Sequence, residues 1–362
     1  MKRIESIDFV RGIVMILMAI DHVRVYAAVP AGGASPGVFL TRWITHFVAP
    51  AFAFLAGTSI YLRGGKDLSK FLVSRGAFLV LLELTVIRVF WTFNFDFAHY
   101  MLAGVIWMLG ICMILMAAIV HLPVRAVAAL GVAIVALHNL ADFAPHSEEH
   151  NVVMRFLYFG GEGIGPLLIL YVIVPWIGVM MCGYAFGEVM KSSTPERRRS
   201  ISLKLGIALT ALFVVLRFIN VYGDPRPWNR SRGVLGFIAT TKYPASLQFL
   251  LMTLGPMFIL LALAEHWRSS FVSTFGRVPM FYYLLHIPLI HAAACVVSLI
   301  REGRVNPWLF GNFPVLPGDV PPGYMWSLGL LYLVFAICVV LLYFPCRWYA
   351  RVRPTKRWLS YI

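Results

Sequence analysis

The sequence predicts an all-α fold, a polytopic membrane helical bundle of about ten transmembrane helices with both termini in the cytoplasm. Hydrophobic residues make up 60% of the 362 residues, and the mean hydropathy is +0.80. Charged residues make up only 13%, whereas a soluble domain typically contains about 25%. This composition excludes a soluble domain, and we expect residues 1–362 to form a single integral-membrane domain.

Each of the ten apolar runs is long enough to cross a hydrocarbon core, which takes roughly 20 helical residues. The runs are 7–29, 38–62, 70–91, 100–120, 123–140, 165–187, 201–220, 243–264, 276–300 and 326–348. The first run carries Arg11, Asp21 and His22 within its length, so it lacks the clean apolar region of a cleavable signal peptide. We interpret it as a retained signal anchor.

The Lys and Arg residues of the connections predict the orientation. If the N-terminus is cytoplasmic, most of these basic residues fall on the cytoplasmic side, and an even number of spans returns the C-terminus to that side. The net charge of +15 is therefore assigned to orientation and to contact with anionic membrane lipid. No basic segment is interleaved with aromatic residues that would stack on bases, so no nucleic-acid partner is expected. The cysteines and histidines show no paired or zinc-like spacing, and no metal is expected.

The first run places ionisable residues on one helix face. His22 lies eleven positions after Arg11, which returns the two side chains to within roughly 20° of each other, about 16 Å apart along the axis. Ionisable groups inside a membrane span are costly and are candidates for function by default. Asp21 adjoins His22, and we take both as candidate catalytic residues.

The second run contributes a third candidate catalytic residue, His46. Both His22 and His46 lie roughly 10 to 12 Å below the predicted outer end of their spans. Consecutive antiparallel helices could therefore bring the two rings together. The alternative for each histidine is a polar side chain satisfied by a backbone carbonyl or a neighbouring helix.

The ninth run places Tyr282, Tyr283 and His286 on one face and turns His291 away by about 140°. His286 is the better candidate of the two histidines, for a catalytic or substrate role. A structural role beside the kink at Pro288 is equally open. Other charges inside the spans are expected to pair between helices, namely Glu83, Arg88 and Arg217.

A polar connection at 221–243 concentrates positive charge on the predicted outer side, where the orientation rule disfavours it. Its polar and aromatic residues could bind an acceptor and stack on a sugar ring; the candidates are Asp224, Arg226, Trp228, Lys242 and Tyr243. The alternative is a proline-stiffened turn whose polar groups cap helices.

Several segments resemble the bacterial relatives of heparan-alpha-glucosaminide N-acetyltransferase, within a wider group of transmembrane acyltransferases. The similar segments are 3–12, Asp21-His22, 41–57, 222–228, 241–247, 252–256 and 281–291. Within that wider group, the acyltransferase-3 branch has an Arg, ten residues and then a His in its first span, a spacing that Arg11 and His22 fit. The lysosomal member's catalytic histidine lies in the connection after its first span, and residues 29–36 contain none here. His22 or His46 would have to replace it.

The resemblance implies transfer of an acetyl group from cytoplasmic acetyl-CoA to an acceptor on the far side of the membrane. The implied partners are membrane lipid, acyl-CoA and a glycan or amino-sugar acceptor in a bacterial inner (cytoplasmic) membrane, with a homodimer left open. Candidate residues for binding the donor are Arg11, Arg75, Arg277, Tyr283 and His286.

The chemistry requires a base that takes the proton of the acceptor, and histidine is the usual side chain for this task. We expect His22 to be this base, with Asp21 or His46 orienting it or helping to bind the acceptor. A covalent acetyl-histidine intermediate is an equal alternative. The competing class is a non-enzymatic transporter of a small polar solute or envelope precursor, in which the same groups would relay protons or bind substrate.

Overall fold

The computed structural model describes residues 3–32, 35–143, 151–267, 269–312 and 320–353. The chain is 74% helical, as the predicted fold class requires. The helices of the described ranges are α1 (Glu5–Tyr26), α2 (Pro36–Trp43), α3 (Val48–Arg63), α4 (Leu68–Leu82), α5 (Arg88–Thr92), α6 (Val105–Ile119), α7 (Val124–Leu137), α8 (Val152–Met154), α9 (Trp176–Ser192), α10 (Pro195–Ile219), α11 (Gly233–Ile238), α12 (Leu247–Leu263), α13 (Ser270–Arg277), α14 (Pro279–Glu302) and α15 (Leu328–Val352).

Short 3₁₀ and π turns, which are tighter and wider than an α-helical turn, connect some of these helices. A 3₁₀ turn at Ile44–Phe47 joins α2 to α3, and a π turn at Glu83–Ile87 joins α4 to α5. Each of the ten apolar runs of the sequence overlaps one of the helices. Within the described ranges, five helical stretches are long and apolar enough to cross a membrane: Pro36–Arg63, Val124–Phe143, Pro195–Ile219, Pro279–Glu302 and Leu328–Val352. The count of ten spans and the orientation of the termini stay predictions.

Helix α1 is not among those five, although its 22 residues would extend about 33 Å at 1.5 Å per residue. Its sequence carries Asp8, Arg11, Asp21 and Arg24, and these charges lower its apolar character. The helix is therefore long enough to cross a membrane and polar enough to need partners.

A small three-stranded sheet is the departure from the all-α prediction. It comprises β1 (Met101–Ala103), β2 (Gly161–Glu162) and β3 (Leu167–Ile169), in the order β1-β3-β2. β3 pairs parallel with β1 and antiparallel with β2. Two of the predicted spans, 100–120 and 165–187, contain β1 and β3 close to their first residues. A short apolar stretch has no period that separates a buried strand from the first turns of a helix, which is why the prediction missed them.

The chain divides into two compact units. Unit 1 comprises Met1–Ser6, Ala49–Leu84 and Phe97–Trp267, and unit 2 comprises Ile7–Val48, Thr85–Asp96 and Arg268–Ile362. The assignment of residues 1–362 to a single domain stays a prediction.

Close helix contacts through glycine hold unit 1 together. A Cβ atom at Gly57 of α3 would overlap the carbonyl oxygen of Met180 in α9, and one at Gly183 would overlap that of Phe54. The backbones of α3 and α9 therefore pack directly against each other at these glycines. Glu83 is 2% exposed and accepts hydrogen bonds from the amides of Ile106 and Trp107, at 2.8 and 3.2 Å. This carboxylate neutralises the positive end of α6.

Unit 2 contains α1, α2, α5, α13, α14 and α15. Its α1 and α13 touch through their backbones, because a Cβ at Gly12 would overlap the Val272 carbonyl oxygen and one at Gly276 would overlap that of Asp8. Arg88 is 1% exposed and donates to Asn94 and to the Asp96 carbonyl oxygen, so it ties down the turn after α5. Glu83 thus contacts another helix, α6, through its backbone amides, whereas Arg88 donates to side-chain and backbone oxygens of the turn that follows α5.

Candidate active site

The centre of unit 2 is a pair of histidines on two helices that are far apart in the sequence. Nδ1 of His22 on α1 lies 2.6 Å from Nε2 of His286 on α14. The two rings are stacked, with centroids 4.7 Å apart and an interplanar angle of 24°. His286 is fully buried and His22 is half-buried, so His22 is the more accessible member of the pair.

The helix that carries His286 fixes its ring through the backbone. Nδ1 of His286 lies 2.6 Å from the carbonyl oxygen of Tyr283 and 3.2 Å from that of Tyr282. The carbonyl that Pro288 leaves without its helical partner belongs to Leu284, four residues earlier. His286 therefore does not compensate for the proline kink, which was the structural alternative for this residue.

The hydrogen-bond partners determine the tautomers of the pair. A carbonyl oxygen only accepts, so Nδ1 of His286 carries a hydrogen that it donates to Tyr283. In neutral His286, Nε2 is then the acceptor, and Nδ1 of His22 donates to it. Neutral His22 is thereby the Nδ1-protonated tautomer, and its Nε2 carries the lone pair that a base or nucleophile needs.

Aromatic side chains surround the His22 ring. The Trp91 ring contacts it edge-on, with centroids 4.7 Å apart. Tyr26 donates a 2.7 Å hydrogen bond to the Trp91 carbonyl oxygen, and Tyr324 donates a 3.0 Å bond to that of Tyr26. Burial raises the pKa of the Tyr324 phenol, with the charge of Glu302 as a smaller cause. The phenol is therefore a stable donor, and these contacts hold the wall of the site in place.

Asp21, beside His22, lies in a cluster with two arginines. Arg24 Nε donates to Asp21 at 3.0 Å, and Arg42 Nη1 donates to both carboxylate oxygens at 2.8 Å. Arg42 is only 8% exposed, so this ion pair is largely shielded from solvent. Two guanidinium groups and one carboxylate leave a positive excess here. The role of Asp21 in orienting His22 stays a prediction.

Arg11 lies at the opposite end of α1 from Tyr26. Its Nη1 is 3.7 Å from the carboxylate of Asp8 and 3.4 Å from the carbonyl oxygen of Gly276. The carbonyl of the next residue, Arg277, accepts from Arg353 at 3.1 Å. The structure thus brings two of the predicted donor-binding residues, Arg11 and Arg277, to the contact between α1 and α13.

The remaining predicted residues of this group lie elsewhere. His46 is in the 3₁₀ turn at Ile44–Phe47, and its position beside His22 stays a prediction. Arg75 lies in α4 of unit 1, with its guanidinium 5.6 Å from the centroid of the Phe78 ring. Tyr283 is 4% exposed and holds His286 through its carbonyl oxygen. The donor-binding roles of Arg75, Tyr283 and His286 stay predictions.

The acceptor candidates lie in the connection between α10 and α12 of unit 1. Asp224 accepts hydrogen bonds from the amides of Arg226 and Thr241 and from the Ser246 hydroxyl, each at 2.9 Å. The Trp228 ring packs against Phe237, with centroids 5.0 Å apart. These contacts favour the helix-capping alternative for Asp224 and a packing role for Trp228.

Two further candidates complete this connection. Lys242 lies over the Tyr243 ring at 5.2 Å from its centroid, and the Tyr243 hydroxyl donates to that of Tyr171 at 3.4 Å. Lys242 is 8% exposed, whereas Tyr243 is 37% exposed. Of the aromatic pair proposed to stack on a sugar, Tyr243 is the more accessible. The acceptor-binding roles of this set stay predictions.

The sequence interpretation missed Trp91 and the pairing of Arg42 with Asp21. Trp91 ends a predicted span whose aromatic residues look alike, so no sequence signal distinguishes it. Arg42 had a signal, because a basic residue near the end of an apolar run requires a partner. Of the residues that the structure describes, no three His, Cys, Asp or Glu side chains are grouped to hold a metal ion.

The helices and the histidine pair define an integral membrane protein with a site suited to acid-base or acyl-transfer chemistry. A family model described as heparan-alpha-glucosaminide N-acetyltransferase, catalytic, matches residues 3–218. The chain therefore belongs to this family, which makes it an acetyltransferase in general terms and confirms the resemblance drawn from its motifs. The family uses acetyl-CoA as donor. No curated protein matches the chain.

The family match covers His22 and Arg11 but ends at the last turn of α10. His286 and the connection at 221–243 lie beyond it. The resemblance of those later segments stays a prediction, and their roles depend on the geometry of this chain.

Proposed function

We propose that the chain transfers an acetyl group from cytoplasmic acetyl-CoA to a carbohydrate or amino-sugar acceptor on the outer side of a bacterial inner membrane. His22 is the catalytic histidine, and His286 is the positioning residue behind it. The observation that supports this proposal is the hydrogen-bonded chain from His22 through His286 to the Tyr283 carbonyl oxygen. Because Nδ1 of His22 contacts the buried His286, the basic nitrogen of His22 is Nε2, on the other side of the ring.

The reaction uses that nitrogen as a general base. The acceptor nitrogen or oxygen attacks the thioester carbon, while its proton moves to Nε2 of His22. The carbon–sulfur bond breaks, and the CoA thiolate takes the proton from His22 to leave as the thiol. His286 stabilises the transient imidazolium, because its Nε2 accepts from Nδ1 of His22 throughout.

The same nitrogen serves a covalent route. Nε2 of His22 attacks the thioester carbon, and CoA leaves as the thiolate. The acceptor then attacks the acetyl carbon, the bond from that carbon to Nε2 breaks, and the freed Nε2 takes the acceptor proton and releases it to water. The tautomer set by His286 is the same in both routes. Rapid acid quenching with labelled acetyl-CoA and no acceptor separates them, because only the covalent route leaves label on the protein.

The charge distribution supports the direction of transfer. Arg11 contacts the carbonyl oxygen of Gly276, the residue before Arg277, and His22 lies eleven positions further along α1, a rise of about 16 Å. Guanidinium groups bind phosphates through charge-assisted hydrogen bonds, as the CoA moiety requires. With the N-terminus cytoplasmic, this end faces the compartment that holds acetyl-CoA.

The test is release of CoA thiol by the purified full-length protein in detergent, with acetyl-CoA and a panel of amino sugars and glycans. We expect His22→Gln to lower kcat by about 100-fold or more, because general base catalysis contributes about 10² to 10⁴ in rate. The matched control is His121→Gln, which replaces an exposed histidine whose Nε2 contacts Ser69 in unit 1. An unchanged rate in His22→Gln would overturn the proposal.

A further inference from the structure

Unit 1 contains a cavity that is lined by arginines. It has a volume of about 260 Å³ and lies in the connection after α10. We call it the arginine pocket, and its polar lining comprises Arg217, Arg226, Asn229, Arg232, Thr240 and Thr241. We propose that the arginine pocket binds an oxyanion, a phosphate, sulfate or carboxylate group carried by a sugar or by a lipid headgroup.

The first step is the charge of Arg217, which is 1% exposed. Its five N–H groups have five acceptors: the carbonyl oxygens of Arg226, Gly236, Phe237 and Ala239 and the side-chain oxygen of Gln248. A guanidinium has only five donors, so Arg217 has none left for a ligand. It contributes a fixed positive charge below the cavity and holds the loop that forms it.

The second step is the excess of positive charge around the cavity. Of the residues that the structure describes, no carboxylate forms a salt bridge with Arg217, Arg226 or Arg232. Asp224 is the acidic residue of this connection, and it already accepts from Thr241, Ser246 and the Arg226 amide. Asp224 also interacts with the charge of Arg217, but this one carboxylate offsets only one of the three arginines, so an anion is favoured as the compensating group.

The third step concerns the side chains of Arg226 and Arg232 and the backbone that carries them. The side chains of Arg226 and Arg232 are exposed, while their backbones are fixed. The Arg226 amide donates to Asp224 at 2.9 Å and its carbonyl accepts from Arg217 at 3.3 Å, whereas the Arg232 amide donates to Asn229 at 3.2 Å. Planar guanidinium groups on a fixed backbone suit the two-point geometry of an oxyanion.

The experiment measures binding and is independent of acetyl transfer. The delipidated full-length protein in an uncharged detergent is titrated with glucosamine 6-phosphate and with uncharged glucosamine, and binding is followed by isothermal titration calorimetry. We expect the phosphorylated sugar to bind more tightly and its affinity to fall as salt is raised. Arg226→Gln with Arg232→Gln should weaken its binding by about ten-fold or more, since each charge-assisted contact contributes about that factor.

The matched control is Arg230→Gln, in the same turn, where the guanidinium lies over the Trp228 ring at 5.6 Å and does not line the cavity. It should leave binding unchanged. Arg226→Lys with Arg232→Lys should retain part of the affinity and guards against misfolding of the glutamine variant. Equal loss in Arg230→Gln, or equal binding of the charged and uncharged sugars without an effect on lipid, would overturn the proposal.

A second arm distinguishes the source of the oxyanion. The protein is placed in nanodiscs containing phosphatidylglycerol and phosphatidylcholine, and co-purifying lipid is counted by mass spectrometry. Loss of phosphatidylglycerol from the double glutamine variant, with no sugar phosphate binding to the native protein, supports a lipid headgroup as the ligand. Loss of sugar phosphate binding alone supports a soluble anionic sugar. Loss of neither overturns the proposal.

Discussion

His286 and His291 lie five residues apart on α14, and both are fully buried, yet their surroundings differ in kind. His286 shares a hydrogen bond with the side chain of His22, which itself can change protonation. His291 contacts two backbone carbonyl oxygens, those of Phe90 at 3.2 Å and Leu309 at 2.9 Å. Its ring lies between Phe93 and Tyr26, with centroid distances of 3.8 and 4.6 Å.

The difference separates a chemical role from a structural one. A buried histidine that contacts only carbonyls and aromatic rings has no group to which it can pass a proton, and its hydrogen bonds stabilise the fold. A buried histidine that contacts a more accessible histidine controls the tautomer of that partner. Burial alone does not distinguish the two residues; the chemistry of the partner does.

The largest expected effect comes from His286→Leu. This change removes the acceptor of the His22 Nδ1–H bond, so the basic tautomer of His22 is no longer held. We expect kcat to fall by about 100-fold, near the lower range of general base catalysis. The thiol-release assay measures it, and the split between parameters is informative: an increase in KM for acetyl-CoA with kcat unchanged would instead support the predicted donor-binding role of His286.

A conservative variant provides the control for this result. The amide oxygen of His286→Gln can accept from Nδ1 of His22, so we expect kcat to recover to within about ten-fold of the native value. Equal rates for the Leu and Gln variants would mean that His286 contributes packing and not a hydrogen bond.

The same substitution at the other histidine should affect stability. A neutral imidazole donates through one nitrogen only, so His291→Leu leaves one of the buried carbonyl oxygens of Phe90 and Leu309 without its donor, at a cost of about 1 to 3 kcal/mol. We expect a lower midpoint of thermal unfolding in detergent and an unchanged kcat for each folded molecule. A large loss of kcat at an unchanged midpoint would contradict the structural role.

The smallest expected effect is that of Trp91→Phe. A phenyl ring retains part of the edge-on contact with His22, and an aromatic pair contributes about 0.5 to 1.5 kcal/mol beyond its buried area. We therefore expect kcat to fall only a few-fold. A loss as large as that of His286→Leu would show that the indole, and not His286, positions the His22 ring.

The sequence identifies His22 and His286 as candidate residues, but it does not predict that they contact each other. Helical spacing places His286 on the face of Tyr282 and Tyr283 and turns His291 away; in the structure His286 contacts His22 of α1, and His291 contacts Tyr26 one turn further along the same helix. Depth matching selected His46 as a neighbour of His22, which stays a prediction, and it did not select His286. The sequence indicates how deep a residue lies in its span, but several spans share each depth, and lateral order depends on packing that a single sequence does not reveal.

The fold shows the same limit. Apolar runs predict the helices, because a run of about twenty apolar residues in a membrane protein generally forms a helix. The strands β1, β2 and β3 are two or three residues each, too short for a period to appear. The contact between α1 and α13 at Gly12 and Gly276 had no signal either, since an isolated glycine has many explanations.

The charges of α1 have a consequence for how the protein is made. Each charged residue near the middle of a membrane helix opposes insertion by about 2.5 to 3.5 kcal/mol. Two arginines of α1 lie three residues after a carboxylate with which they pair, Arg11 with Asp8 and Arg24 with Asp21. These four charges are therefore paired within α1 when the helix enters the bilayer. His22, in contrast, contacts His286 only after α14 has left the ribosome. A nascent chain that ends before Pro279 holds the base without the residue that sets its tautomer.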